Sequence, residues 1–322
     1  MQIISGTTEF ECEGSTAAAI GKFDGIHRGH RRLLDEILKA KEDGLKAAVF
    51  TFDPPPGVFF TGRPQAELTT REEKRRIFEA LGVDILIEFP LTAQTAAIPP
   101  EDFVARILCR QMHTRFLAAG TDLSFGDQGK GDWRLLRAMA DRMGYQVQVI
   151  DKLLYEGREI SSTFVREAVS AGRMELAAGL LGAPYSVSGL VMHGRKLGRT
   201  LGMPTVNLLP PPDKLLPPNG VYMTRLSFDG VDFSGITNVG CRPTVSNTGR
   251  MSVETYVYDF HEEIYGEPVT VSFHTFCRPE LRFDGVEQLK ENMAADIRAG
   301  REYWFRQDGG QELISAEDKP EA

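Results

Sequence analysis

Up to about residue 183 amphipathic segments alternate with short apolar runs, and beyond it that alternation stops. Few architectures accommodate such a switch. "STAAAIGKF" and "LKAAVFTF" read as strands bracketing a helix, "HRRLLDEILKAKEDG", that stops at Gly44. "TTREEKRRIFEALG", "PEDFVARILCRQM" and "DWRLLRAMADRMG" carry apolar residues at helical spacing, and each leads into a strand, "VDILIEF", "TRFLAAG" and "YQVQVI" respectively. Repeated helix-to-strand succession predicts an α/β domain with a doubly wound parallel sheet. After a last helical stretch, "STFVREAVSAGRMELAAGLLG", the composition turns to proline, glycine and short β-rich runs at "APYSVSG".

The second half offers "YSVSGLVM", "GVYMTRLSF", "VDFSGITNVG", "SVETYVYDF" and "PVTVSFHTF", short strands separated by turn residues. That pattern predicts a small antiparallel β-barrel. It closes with a C-terminal helix whose Val286, Leu289, Met293 and Ile297 recur at helical spacing and are expected to cover the barrel. The expected organisation is therefore a domain over residues 1–183, a second over 184–310, and a polar tail over 311–322.

Composition limits what those domains can do. With 322 residues and a net charge of −8, the surface as a whole is not built for nucleic acid or an anionic membrane, so an anionic ligand has to be met by local groups. The four cysteines, Cys12, Cys109, Cys241 and Cys277, stand far apart without CxxC spacing, and no long uncharged apolar span occurs. The chain reads as a cytoplasmic protein with small-molecule partners, no nucleic acid and no membrane, its oligomeric state left open.

The stretch "IGKFDGIHRGH", residues 20–30, falls at the end of the first expected strand, on the carboxyl edge of a parallel sheet where ligands bind in such folds. Gly25 and Gly29 allow close backbone approach, a helix start favours anions, and His27 and His30 project to one side of the first turn. Imidazoles so placed can donate to phosphate oxygens as charge builds on a leaving pyrophosphate. A zinc pair is the competing reading, but further ligands would have to come from His113, His193, His261 or His274, all in unrelated segments.

"GKFDGIHRGH" resembles the HxGH signature of nucleotidyltransferases, in the form found in the bifunctional prokaryotic riboflavin kinase/FMN adenylyltransferase (FAD synthetase) family. The resemblance runs from about residue 15 to 305. It implies a Rossmann-like nucleotidyltransferase domain followed by a riboflavin kinase barrel. The activities implied are phosphorylation of riboflavin with ATP to FMN, and adenylylation of FMN with a second ATP to FAD and pyrophosphate. Gly21, Phe23, Asp24, Gly25 and Gly29 would then line ATP, with His27 and His30 serving the leaving group. "EISSTFVRE" resembles the family's ISSTxxR motif, so Ser161, Ser162, Thr163 and Arg166 would grip the triphosphate. In "GTDLSFGDQGKGD", Asp122 and Phe125 would lie near adenosine or flavin. Where the family commonly has FDPHP this chain has "FDPPP" with Pro55, and Leu123 and Ser124 also depart from the common pattern. These changes bear on ligand contacts and rate rather than on reaction type.

"HGRKLGRTLGMPTVN", residues 193–207, is not a Walker A loop, since GxxxxGK[ST] is absent from the chain. Glycines 194, 198 and 202 with Arg195, Lys196 and Arg199 can still close over phosphates, and Thr205 and Asn207, two apart on an extended segment, face the same way. The segment resembles the riboflavin kinase PTxN motif, which implies that Gly194, Arg195, Lys196, Gly198, Arg199 and Gly202 meet ATP. It also implies that Thr205 and Asn207 hold Mg²⁺. In "MSVETYVYDF" alternation puts Val253, Thr255 and Val257 on one face and Ser252, Glu254, Tyr256 and Tyr258 on the other. Glu254 matches the family's base for the riboflavin hydroxyl, and Arg278 in "CRPELRFDG" lies in a segment associated with the flavin and nucleotide sites. Two competing readings stand: a chain in which only the kinase works, and a flavin-binding regulator without turnover.

Overall fold

The computed structural model describes residues 1–194, 202–242, 250–283 and 285–309. These described residues divide between two compact units, one drawn from 1–167, 179–183 and 212–215, the other from 168–178, 184–211 and the chain after 215; the tail expected over 311–322 lies outside the described residues.

The first unit is built on a six-stranded parallel sheet. Its strands are β1 (Gln2–Ser5), β2 (Thr16–Ile20), β3 (Lys46–Asp53), β4 (Ile85–Pro90), β5 (Thr114–Gly120) and β6 (Gln146–Ile150), in the order β1-β4-β3-β2-β5-β6. Strand β2 is buried along its whole length, and its side chains divide by parity. Ala18 and Ile20 join one apolar cluster with Phe50, Ile87 and Leu117, while Ala17 and Ala19 join another with Val49, Leu86 and Ala118. A strand covered on both faces shows no polar alternation, and the one polar residue of "TAAAI", Thr16, is satisfied by donating its hydroxyl to the Met112 carbonyl at 2.8 Å.

Helices α1 (Arg28–Lys39), α2 (Pro56–Thr61), α3 (Arg71–Ala80), α4 (Ala93–Ala96), α5 (Pro100–Asp102) and α6 (Trp133–Met143) follow, and α5 continues in π form through Phe103–Gln111. Leu33, Leu34 and Ile37 of α1 and Phe78 of α3 cover one face of the sheet. Phe103, Val104, Ile107 and Leu108 of the π segment, with Leu136 and Met139 of α6, cover the other. The chain runs outward from β2 through β3 to β4, then returns to place β5 and β6 on the opposite side. Adjacent β2 and β5 thus mark the point where the winding reverses, and the crevice beyond their carboxyl ends is where such sheets bind ligands. A small hairpin, β7 (Leu154–Tyr155) and β8 (Arg158–Glu159), precedes α7 (Ser162–Ser170) and α8 (Met174–Leu181).

The second unit is a closed antiparallel barrel in the order β10-β13-β12-β11-β14-β9, closure coming from β9 pairing with both β14 and β10. Its strands are β9 (Tyr185–Met192), β10 (Val206–Leu208), β11 (Gly220–Phe228), β12 (Val231–Arg242), β13 (Arg250–Val257) and β14 (Pro268–Pro279). Buried hydroxyls form a short chain across it: Thr224 bonds Thr237 at 2.6 Å, and Thr237 bonds Thr255 at 2.7 Å. Each hydroxyl satisfies the next, which removes the cost of burying them.

Helix α9 (Val286–Gln307) packs on Val221, Met223, Ile236 and Tyr258 through Ile297, Tyr303 and Trp304. The expected apolar stripe is only half used. Val286 is exposed, Leu289 and Met293 are half-buried, and the cover comes from the later turns. The Trp304 indole donates to the Gly235 carbonyl at 3.0 Å, and the Tyr258 hydroxyl donates to the Ile297 carbonyl at 2.7 Å. Two indole or phenol hydrogen bonds in apolar surroundings fix the helix in register as well as in place.

Candidate functional sites in the two units

In the first unit the glycine-rich turn follows β2 directly and feeds α1. Gly25 has φ +88°, and a Cβ there would meet the Leu68 side chain at 3.0 Å, so both its conformation and its surroundings require glycine. His27 is the N-cap of α1, its Nδ1 accepting the backbone N–H of His30 at 3.3 Å. The two imidazoles stack with centroids 3.8 Å apart. His27 is 7 % exposed, and burial pulls its pKa down to about 4, with Asp122 and Asp24 opposing the shift. Burial also holds His30 well below the ordinary value, and the neighbouring His27 adds to this. Both rings are therefore neutral donors near pH 7. His30 Nδ1 is buried without a hydrogen-bond partner among the described residues.

Asp24 ties the turn to the second motif. Its carbonyl accepts from the Ser162 hydroxyl at 2.7 Å, and its carboxylate pairs with Arg166 at 2.5 Å. On the other side the same carboxylate accepts from the backbone N–H of Leu68 at 2.8 Å and of Thr69 at 3.4 Å. Ser161 caps α7 through the N–H of Phe164, and Thr163 on the first turn is exposed. Arg166 also donates to the Ala66 carbonyl. The HxGH turn and the ISSTxxR helix thus meet through one aspartate, although they are far apart in sequence. Asp122, just past the end of β5, is exposed and lies 3.7 Å from Lys152.

Two residues expected to meet ligand have their side chains in the core. Phe23 is fully buried against Phe78 and His30, and Gly21 lacks a side chain because a Cβ there would meet the Phe23 ring at 3.2 Å. Phe125 is 3 % exposed and packs on Phe103. Both rings shape the turns that carry the polar groups. Pro55 stands immediately before α2 and lines a small hollow with Asp53, Arg71 and Glu88.

In the barrel, Asn207 of β10, Glu254 of β13 and Asn238 of β12 are directly paired across three strands. Paired residues share a face, so a carboxylate stands between two carboxamides. Asn207 lies 3.3 Å from the Thr205 hydroxyl, and Ser252 lies 3.5 Å from the Glu254 carboxylate. The Gly194 backbone comes so close to Asn207 that a Cβ would sit 2.7 Å from its carboxamide. Only glycine fits. Gly202 has φ +77° and open space around it. Arg195, Lys196, Gly198 and Arg199 lie outside the described residues. Arg278, expected near flavin, forms a two-point pair with Asp296 of α9, Nε at 2.9 Å and Nη2 at 2.5 Å. Its guanidinium is a clamp between β14 and the helix.

No helix among the described residues is long and apolar enough to cross a membrane. Residues 9–164 match the FAD synthetase family model and residues 181–304 the riboflavin kinase model. A bifunctional riboflavin kinase/FMN adenylyltransferase of Listeria monocytogenes is 37 % identical over 93 % of this chain and 96 % of its own length. One from Escherichia coli K12 is 35 % identical over 88 % and 91 %. A solved Streptococcus pneumoniae structure described as a macrolide-efflux protein aligns with a TM-score of 0.80 and 30 % identity over 90 % of this chain and 95 % of that one. What it shares with the present chain is the fold.

Proposed function

Because this chain belongs to the bifunctional riboflavin kinase/FMN adenylyltransferase family, we propose that its two reactions divide between its two units, the α/β unit carrying adenylyl transfer and the barrel carrying the kinase. The chain phosphorylates riboflavin with ATP to FMN, then joins FMN to AMP from a second ATP, releasing pyrophosphate. The family of homologues and the composition support a cytoplasmic enzyme acting on small molecules.

For adenylyl transfer the supporting observation is the meeting of His27, His30, Ser162 and Arg166 around Asp24 at the reversal point of the sheet. The FMN phosphate is already a nucleophile, so the protein's work is to align it with the α-phosphorus and to stabilise the departing pyrophosphate. Since His27 Nδ1 accepts a backbone N–H, its proton sits on Nε2, free to donate to a phosphate oxygen. The N-terminus of α1 adds its own N–H groups to that anion site. Arg166, held by Asp24 and Ala66, stands ready to meet the polyphosphate.

For the kinase, Glu254 accepts the proton of the riboflavin 5′-hydroxyl, positioned by its place between Asn207 and Asn238. The hydroxyl of Thr205, 3.3 Å from the Asn207 amide nitrogen, and the carboxamide oxygen of Asn207 are hard neutral donors, a donor set whose chemistry fits Mg²⁺ shared with ATP phosphates. When bound, the ion would neutralise charge on the transferring phosphoryl group. Incubation with riboflavin, ATP and Mg²⁺, followed by chromatography, tests the reading: FAD requires both units, FMN alone would leave only the kinase, and neither product would favour a binding protein.

A further inference from the structure

We infer that Lys214 is a positioning residue for adenylyl transfer, although it comes from a segment beyond residues 9–164 that match the FAD synthetase model. The inference rests on the assignment of that reaction to the first unit, to which residues 212–215 belong.

The geometry is carried by the backbone of residues 66–69. On one side it pairs with the 213–215 segment: Glu67 N–H donates to the Asp213 carbonyl at 2.5 Å, and Leu215 N–H donates to the Glu67 carbonyl at 2.8 Å. Lys214 Nζ then donates to the Leu68 carbonyl at 2.7 Å and to Glu73 at 2.6 Å. On the other side the same four residues hold the site. The Ala66 carbonyl accepts from Arg166, and the N–H groups of Leu68 and Thr69 fix the carboxylate of Asp24. Asp24 is in turn bonded to Ser162 and Arg166. Each of the three peptide groups between Ala66 and Thr69 therefore places one polar atom on the Lys214 segment and the other on Asp24 or Arg166, so movement on one side is passed to the other.

The ammonium of Lys214 has 2 % of its side chain exposed. Burying a cation so fully is costly unless it is paired and hydrogen-bonded, and here one charged and one neutral oxygen do both. Burial pulls the Lys214 pKa below its ordinary value, with Glu73 the main opposing influence. A solvated lysine could not hold a carbonyl in one place. A desolvated one, with its rotamers fixed, can. Glu73 is itself fixed by a capping box with Thr70 at the start of α3, which gives the lysine an anchored partner.

The test uses the full chain. Lys214→Met removes the ammonium while keeping much of the volume, but strands the Glu73 charge. The double variant Lys214→Met/Glu73→Gln removes both charges and retains a residue able to complete the capping box. In the double variant we expect kcat/KM for ATP in FAD formation from supplied FMN to fall at least tenfold, with riboflavin phosphorylation at the unmodified rate. A rise in KM for ATP should account for most of the loss, since Arg166 is the group displaced. FAD formation at the unmodified rate in the double variant would overturn the positioning role, whatever its thermal stability. Parallel loss of both reactions would overturn it too, showing a global effect. If the unmodified chain made no FAD, the assignment of the reaction itself would have failed instead.

Discussion

His27 Nδ1 accepts the backbone N–H of His30 at 3.3 Å, and this single bond decides what the first histidine can do. It places the proton on Nε2 and leaves a neutral donor aimed away from the helix. Loss of one preorganised donor to a developing charge typically costs about 10²–10³-fold in rate. His27→Ala and His30→Ala should each slow conversion of FMN to FAD by that order, while FMN formation from riboflavin persists. Unchanged FAD formation in both variants would remove the leaving-group role.

The same burial has a consequence for stability. His27 takes a proton at about 4 in the folded chain against 6.5 for an unshifted group, so between these values the unfolded state binds more protons. Stability therefore rises with pH across that window and is unaffected by this group above it. A full shift corresponds to roughly 3 kcal/mol lost on acidification, as an order of magnitude. His27→Gln, which does not titrate, should lose less stability than the unmodified chain between pH 7 and pH 4.5, measured by denaturant unfolding. An identical loss in both would assign the acid sensitivity to other groups.

How far the sequence reveals this molecule depends on whether information lies in side chains. Strands β2 to β5 are legible because each is a largely apolar run bounded by a helix, and the edge strand β6, "QVQVI", because its residues alternate polar and apolar. The other edge strand, β1, is not: "QIIS" is four residues long, largely exposed, and pairs with β4, its neighbour in space but not in sequence. His27, Ser162 and Arg166 announce themselves by type and spacing. The Leu68 and Thr69 donors to Asp24 are backbone groups and leave no such mark. Lys214 sits in "PPPDKLLPP", which reads as a connecting loop because proline denies it regular structure. Phe23 and Phe125 carry a second role that motif matching does not show. They belong to functional motifs, yet their rings serve the core that shapes those motifs.

Gly300 sets helix propensity against packing. Alanine at this position in α9 should favour the helix by about 1 kcal/mol over glycine in isolation. In place, its Cβ would lie 2.3 Å from the Tyr258 hydroxyl and 3.3 Å from Met223 Sδ. The tyrosine, 7 % exposed, would have to leave the Ile297 carbonyl, which keeps its helical N–H, so the unpaired group is the buried Tyr258 hydroxyl, at a cost of roughly 1–3 kcal/mol on top of the overpacking. Gly300→Ala should therefore destabilise the barrel unit, seen as a lower unfolding midpoint. A stabilised variant would mean that the helix shifts without strain.

Arg278→Lys examines the clamp to Asp296. Lysine keeps the charge but cannot make both contacts of the planar guanidinium, so α9 loses one of two fixed points against β14. The expected result is a several-fold rise in KM for riboflavin with FAD formation from supplied FMN unaltered. A lysine variant with unmodified kinase kinetics would restrict Arg278 to a structural role.

Glu254→Gln isolates the proposed base. The substitution keeps the size of the side chain and an oxygen between Asn207 and Asn238, but the amide cannot accept the hydroxyl proton of riboflavin. Removing a general base typically costs roughly 10²–10⁴-fold, so FMN formation should fall by that order while both substrates still bind. FAD formation from supplied FMN supplies the internal control. Its nucleophile is already ionised and needs no base, so it should proceed unchanged, whereas misfolding would depress both reactions together. Should Glu254→Gln phosphorylate riboflavin at the unmodified rate, catalysis in the barrel would have to rest on alignment and on charge neutralisation at Thr205 and Asn207 alone.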